Sequence, residues 1–162
     1  MIKSRTIRFS SNKKNNLENI ILVKNGNNQF IGALKESYGV YTIYFEEKII
    51  YIGVVKGETN ISDRISQHFR INHGAVHIQK YVTKKEHITK TELDYFYDLM
   101  IDKGKVIIYY FDKLKDKITE KQKTQLLKFE SFCINYINPP CNKRKKALEF
   151  PVKWFKEFVS TS

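Results

Sequence analysis

One stretch, from residue 38 to residue 68, constrains this chain more than any other. Tyr38 to Phe45 and Ile49 to Val55 are dense in Val, Ile, Tyr and Phe, residues whose branched or flat side chains suit a pleated strand. Between them Glu46-Glu47-Lys48 is short and charged, the pattern of a hairpin connection. A three-residue loop pairs Phe45 with Ile49 and Tyr41 with Gly53. That register sets Tyr41 and Tyr51 diagonally on one face, within reach of long side chains. A two-residue turn would throw them onto opposite faces.

A helix follows. Thr59 or Asn60 caps it, and Asp63 sits in its first turn. Ile61, Ile65 and Phe69 recur at helical spacing and face the core. Arg64 and His68, four apart, share the neighbouring face. Two phenols, a guanidinium and an imidazole therefore converge beside one sheet.

The flanks read less sharply. Residues 1–18 are basic and polar, the pattern of a flexible arm. Asn19–Val23 and Gln29–Leu34 bracket the turn signal Asn25-Gly26-Asn27-Asn28, a small hairpin. Asn72-His73-Gly74 breaks the chain. Beyond it Ala75–Val82 alternates weakly around His77, and Lys84–His87 is charged, so 72–90 takes no assignment. Thr89–Ile101 is a helix capped by Thr91, striped by Leu93, Phe96, Tyr97 and Met100, and ended by Gly104. The apolar run within Lys105–Asp112 is a buried central strand. A last long helix runs from about Thr119 to Ile137, where Asn138-Pro139-Pro140 stops it. Pro151–Val159, with Trp154, Phe155 and Phe158, reads as a short docking helix. The sum is an α+β domain with a small antiparallel three-stranded sheet flanked by helices. Its divisions are an N-terminal extension (1–37, a DNA-contacting arm or hairpin), a core (38–143) and a C-terminal tail (144–162).

Charge narrows the partners. Across 162 residues, enough for one domain with a proper core, Lys and Arg total 29 against 17 Asp and Glu, a net +12. That imbalance points to a polyanion. The basic segments are Lys3–Arg8, Lys13-Lys14, Lys84-Lys85 and Lys143–Lys146. No apolar run is long enough to span a bilayer, and the amino terminus lacks a signal-peptide pattern. Two cysteines, Cys133 and Cys141, suggest a reducing compartment, and with the four histidines they match no common zinc spacing.

One carboxylate is out of place. In the 119–137 helix, Leu126, Leu127, Cys133, Ile134 and Ile137 form an inward stripe, and Glu130 falls within it. A carboxylate on a buried face is costly unless it is paired or binds a metal. The choice lies between an ion pair with Arg or Lys and a Mg²⁺ ligand, since hard divalent ions take oxygen donors and often only one or two from protein.

Taken together, Gly39-Val40-Tyr41, Tyr51-Ile52-Gly53, Arg64 with His68, Glu130, and Asn138-Pro139-Pro140-Cys141-Asn142 resemble the GIY-YIG nuclease superfamily. The likeness runs in order over residues 38–143 as five short elements. It departs in two places. The interval from Tyr51 to Arg64 is longer than usual, with Gly57-Glu58-Thr59 as the extra loop and Arg70 as the rival to Arg64. The lysine that often follows the second motif directly is displaced to Lys56 by Val54 and Val55.

The resemblance implies hydrolysis of double-stranded DNA by in-line attack of water, with one Mg²⁺ (Mn²⁺ as substitute). It casts Tyr41 as general base, Tyr51 as a positioner of water or phosphate, and Arg64 as stabiliser of the phosphorane. It gives His68 an orienting or protonating role and Lys56 a supporting charge. Glu130 becomes the metal ligand and Asn142 its outer support. The expectation is a cytoplasmic, stand-alone, sequence-specific enzyme of the restriction type, a homodimer if its target is palindromic. The alternatives are a phage or mobile-element endonuclease of weak specificity and a non-catalytic nucleic-acid-binding module.

Overall fold

The Val-, Ile- and Tyr-rich runs become strands. A computed structural model describes residues 3–11, 20–22, 29–31, 38–56, 61–69, 76–111 and 119–143. Its strands are β1 (Lys3–Ser10), β2 (Ile20–Leu22), β3 (Gln29–Ile31), β4 (Tyr38–Phe45), β5 (Lys48–Val55) and β6 (Gly104–Phe111). Its helices are α1 (Ile61–Gln67), α2 (Val76–Thr83), α3 (Lys90–Lys103) and α4 (Glu120–Ile137). The strand order is β3-β2-β1-β6-β4-β5. Four strands, β1-β6-β4-β5, are antiparallel throughout. The short β2 joins β1 in parallel, and β3 pairs with β2 antiparallel.

The antiparallel part of the sheet therefore has four strands where three were expected, and the added strand is β1. The reading of residues 1–18 as a flexible arm fails over Lys3–Ser10. Ile7 and Phe9 are buried, alternating with exposed Thr6 and Arg8. That is the period of a half-buried strand, obscured in the sequence by a basic, hydroxyl-rich outer face. β1 pairs with β6 from Val106 to Tyr110.

The β4–β5 hairpin reaches its expected register by another route. Tyr41 pairs with Gly53, but Phe45 pairs with Lys48 and Tyr44 with Ile49. The turn is two residues, Glu46 and Glu47, at φ 50° and 62°, the left-handed pair that a type I′ turn demands. A bulge between Ile43 and Tyr44 then shifts the register, leaving Ile50 as the extra residue on β5 and returning Tyr51 to the face of Tyr41. The glutamates hold an unfavourable conformation with local help. Glu46 N–H donates to Lys103 O (3.1 Å), and the two carboxylates meet Lys103 and Lys105.

Both faces of the sheet are covered. On one, Tyr41, Ile43, Ile50, Val106 and Ile108 pack with Ile65 and Phe69 after and within the α1 segment, Ile78 of α2, and Phe96 and Met100 of α3. On the other, Val40, Ile52, Val54 and Tyr109 pack against Leu126, Phe129, Cys133 and Ile134 of α4. The unassigned stretch is a helix: α2 buries Ile78, Gln79, Val82 and Thr83, an i, i+1, i+4, i+5 face. The N-cap of α3 is Thr89 rather than Thr91, with its N–H donating to Glu92 Oε2 (3.2 Å) in a capping box. In α4, Ile137 stands 37% exposed at the terminus instead of in the inward stripe. Asn138, at φ 53°, takes the left-handed position that ends the helix.

Thr59, Asn60, Arg70, Lys13-Lys14, residues 144–146 and the Trp154 segment lie outside the described residues. Among the described residues no helix is long and apolar enough to cross a membrane.

Candidate active site

Two glycines let the sheet place its tyrosines. A Cβ on Gly53 would lie 2.3 Å from Cζ and Oη of Tyr41, so the phenol rests where any larger residue would put its side chain. A Cβ on Gly39 would lie 1.9 Å from the Tyr109 carbonyl oxygen, so β4 and β6 could not approach as they do. Tyr41 is thereby fully buried, and its Oη lies 2.6 Å from His68 Nε2. Tyr51, only half-buried, closes the group. Its ring centroid is 4.6 Å from that of His68 and 6.1 Å from that of Tyr41.

His68 does not share a solvated face with Arg64. The α1 helix ends at Gln67, and His68 and Phe69 continue it as a tight turn, their N–H groups donating to Ile65 O and Ser66 O at 3.0 Å. The tighter winding turns the imidazole inward, to 6% exposure, while Arg64 stays exposed and donates to Gln67 Oε1 (3.3 Å). Burial, aided by the charges of Arg64 and His77, pushes the His68 pKa down to about 3, so the ring is neutral at physiological pH.

Which atom carries its proton follows from the neighbours. His68 Nδ1 is buried with no hydrogen-bond partner among the described residues. An N–H left unpaired there would cost about 1–3 kcal/mol, so the proton belongs on Nε2, donating to Tyr41 Oη. Tyr51, its ring 6.1 Å from that of Tyr41, adds to the rise of the Tyr41 pKa. The bond thus runs from His68 N–H to the Tyr41 oxygen, with the Tyr51 ring packed against both.

The outer charges act on this group. Burial, first, and Tyr51 hold the Tyr41 pKa well above its usual value, while Arg64 draws it down and Glu130 raises it. Tyr51 is raised by burial, lowered by Arg64 and raised by Glu130. Glu130 therefore makes its field felt at both phenols, although α4 covers the opposite face. It is itself 6% exposed, flanked along α4 by Phe129 and Ile134. Lys56 follows β5, half-buried, and is not among the charges acting on either phenol.

Asn142 is bound to backbone. Its Oδ1 accepts from Ile52 N–H (2.7 Å) and its Nδ2 donates to Ile52 O (2.8 Å). With Cys141 N–H donating to Ile50 O (2.9 Å), the residues after the Pro-Pro turn close the outer edge of β5 as a short strand would.

The structure brings together Tyr41, Tyr51 and His68 by contact, Arg64 and Glu130 by field, and Asn142 by tether. Sequence reasoning left out His77, whose ring lies 6.1 Å from that of Tyr51, and Gln79, which donates to His68 O (3.2 Å). It placed Tyr97 only in a core stripe, whereas the Tyr97 hydroxyl donates to Phe69 O (2.5 Å). The i, i+4 pair Ile78 and Val82 was the available signal for α2, but Val76, Ile78 and Val82 also fit a period of two.

Compared with known proteins, the chain matches no family model, no curated protein and no solved structure.

Proposed function

We propose that this protein is a divalent-metal-dependent endonuclease that hydrolyses phosphodiester bonds in double-stranded DNA, sequence-specific and similar to GIY-YIG restriction enzymes. The observation that carries the reading is the Tyr41–His68 hydrogen bond with Tyr51 against both rings, set in the fields of Arg64 and Glu130. Core tyrosines need only one partner for each hydroxyl. A buried phenol–imidazole pair packed against a half-exposed phenol suits proton transfer instead.

Burial moves the candidate base from Tyr41 to Tyr51. Tyr41 has no exposed surface, whereas Tyr51 reaches solvent, and the Arg64 charge works against the rise that burial imposes on its pKa. The Tyr51 phenolate takes the proton of the attacking water. His68 fixes Tyr41 by a hydrogen bond, and the two rings pack against Tyr51, so the base meets the water in one orientation. Arg64, exposed at the rim, offers its planar donors to the phosphate as charge builds on it. Asn142 holds β5, and with it Tyr51, in place.

A metal ion is implied by the resemblance. A single buried carboxylate is an acceptable hard-oxygen anchor for Mg²⁺ or Mn²⁺, which keep several waters and substrate oxygens in their shell. Glu130 is the residue that would hold the ion, whose charge would neutralise the scissile phosphate. The net +12 charge, with exposed Arg8 on β1 and Lys84-Lys85 after α2, supplies phosphate contacts. A cytoplasmic setting belongs to the same proposal, with Cys133 and Cys141 both free and buried.

The test is cleavage of plasmid DNA with Mg²⁺, with and without EDTA, by the wild-type protein and by Tyr51→Phe. Discrete EDTA-sensitive bands, lost in Tyr51→Phe, are expected. A smear would indicate the weakly specific alternative. Tight DNA binding with no cleavage under any divalent ion would leave a binding module and overturn the proposal.

A further inference from the structure

We infer that Gln79 of α2 and Tyr97 of α3 are positioning residues, a two-point clamp that fixes the His68 turn and through it the Tyr41–Tyr51 pair. The effect on turnover rests on the nuclease reading; the clamp itself rests on geometry. A helix leaves its last carbonyls without intrahelical partners, and α1 is short. Gln79 Nε2 donates to His68 O (3.2 Å), and Tyr97 Oη donates to Phe69 O (2.5 Å). Two successive carbonyls, each taken by a different helix, fix the peptide planes that follow His68 and so the direction of its side chain.

Both donors are held in turn. Gln79 is fully buried and its own carbonyl accepts from Thr83 Oγ1 (2.8 Å). The Tyr97 ring packs at 5.9 Å from that of Phe96, which stacks at 5.5 Å on Phe69. If α2 and α3 served only to cover the sheet, Met or Leu at 79 and Phe at 97 would fill the same space without the cost of burying an amide and a hydroxyl. These polar groups serve the backbone of one turn, and that turn carries the imidazole.

Two single variants test this, Tyr97→Phe and Gln79→Met, each removing one donor while keeping the bulk. Neither alters the groups facing His68, namely Tyr41, Tyr51, Arg64 and His77. The first readout is the pair of His68 ring ¹⁵N shifts in the full-length folded protein. Wild type is expected to show one tautomer, protonated at Nε2. Each variant is expected to move toward the tautomer mixture of a free imidazole. The second readout is steady-state cleavage, with kcat lowered about tenfold or more and KM unchanged, since a displacement of about 1 Å can cost on the order of 10²-fold. Unchanged ¹⁵N shifts in both variants would overturn the clamp. Shifted resonances in a protein whose wild type cuts no DNA would uphold the clamp and sink the nuclease reading. If one variant loses the folded spectrum, the other decides.

Discussion

At the scale of single residues, the site depends on side chains whose chemistry their neighbours have changed. His68 is an ordinary imidazole by sequence and a permanently neutral one in the fold. Its pKa falls from 6.5 to about 3, so between those values the unfolded chain binds a proton that the folded chain refuses. Stability must then decline as pH falls from about 6.5 toward 3, with a slope near 1.4 kcal/mol per pH unit from this group. Urea unfolding at a series of pH values should show that acid slope in wild type and a shallower one in His68→Gln; equal slopes would place the imidazole in water. The two motif glycines separate by the same reasoning. Gly39→Ala drives a Cβ into the Tyr109 carbonyl, a backbone atom that cannot give way, whereas Gly53→Ala meets the end of a side chain. Thermal melts should place the cost of Gly53→Ala at about 1–3 kcal/mol, the range for overpacking, and that of Gly39→Ala clearly above it. Gly53→Ala should also lose cleavage, because the phenol it displaces is the one bonded to His68.

Among the elements, legibility followed period and length. The hairpin and β6 were readable from dense runs of Val, Ile, Tyr and Phe, α3 and α4 from a long helical repeat, and α4 also carries a cap and a stop. The failures have physical causes. Polar Gln79 and Thr83 occupy half of the buried face of α2, so a hydropathy pattern sees only Ile78 and Val82. In β1 two apolar residues share eight positions with Lys3, Arg5 and Arg8, and only pairing with β6 makes a strand of them. The hairpin turn was misjudged because Glu46-Glu47 lacks the Asn-Gly signature of its type, and the bulge that restores the register has no local sequence mark. Of the candidate site, the residue types were legible, but their connections were not: no spacing tells that His68 turns inward or that Asn142 binds Ile52. That tether makes its own prediction. Asn142→Ala removes both hydrogen bonds to Ile52 from the outer edge of β5. Stability should drop by about 1–3 kcal/mol, and amide exchange should quicken at Ile52 while β6 amides keep their protection. Uniform acceleration across the sheet would assign Asn142 a global role instead.

For the molecule as a whole, the central strands lie between α1–α3 on one face and α4 on the other, and the candidate site residues come from both sides. Tyr41, Tyr51 and His68 belong to the layer of α1–α3, and Glu130 arrives from the helix on the other face. A carboxylate buried to this degree is costly unless compensated, and what compensates it decides its role. The two explanations of Glu130, structural ion pair or metal anchor, predict opposite results in one variant. Removing one member of a buried ion pair leaves the other uncompensated and typically costs about 3–5 kcal/mol. Removing a carboxylate kept buried for a metal relieves its desolvation, so the apo protein should hold or gain stability. Glu130→Gln, nearly isosteric and still able to hydrogen-bond, is therefore expected to melt in EDTA at or above the wild-type temperature. It should bind DNA with the same salt dependence, since no phosphate-contacting cation is lost. Cleavage should fall at least 10²- to 10³-fold, about 2.7–4 kcal/mol of transition-state stabilisation, and added Mg²⁺ should lose the rise in melting temperature expected of it in wild type. A lowered melting point with cleavage intact would make Glu130 a structural partner and leave the phenols without their metal.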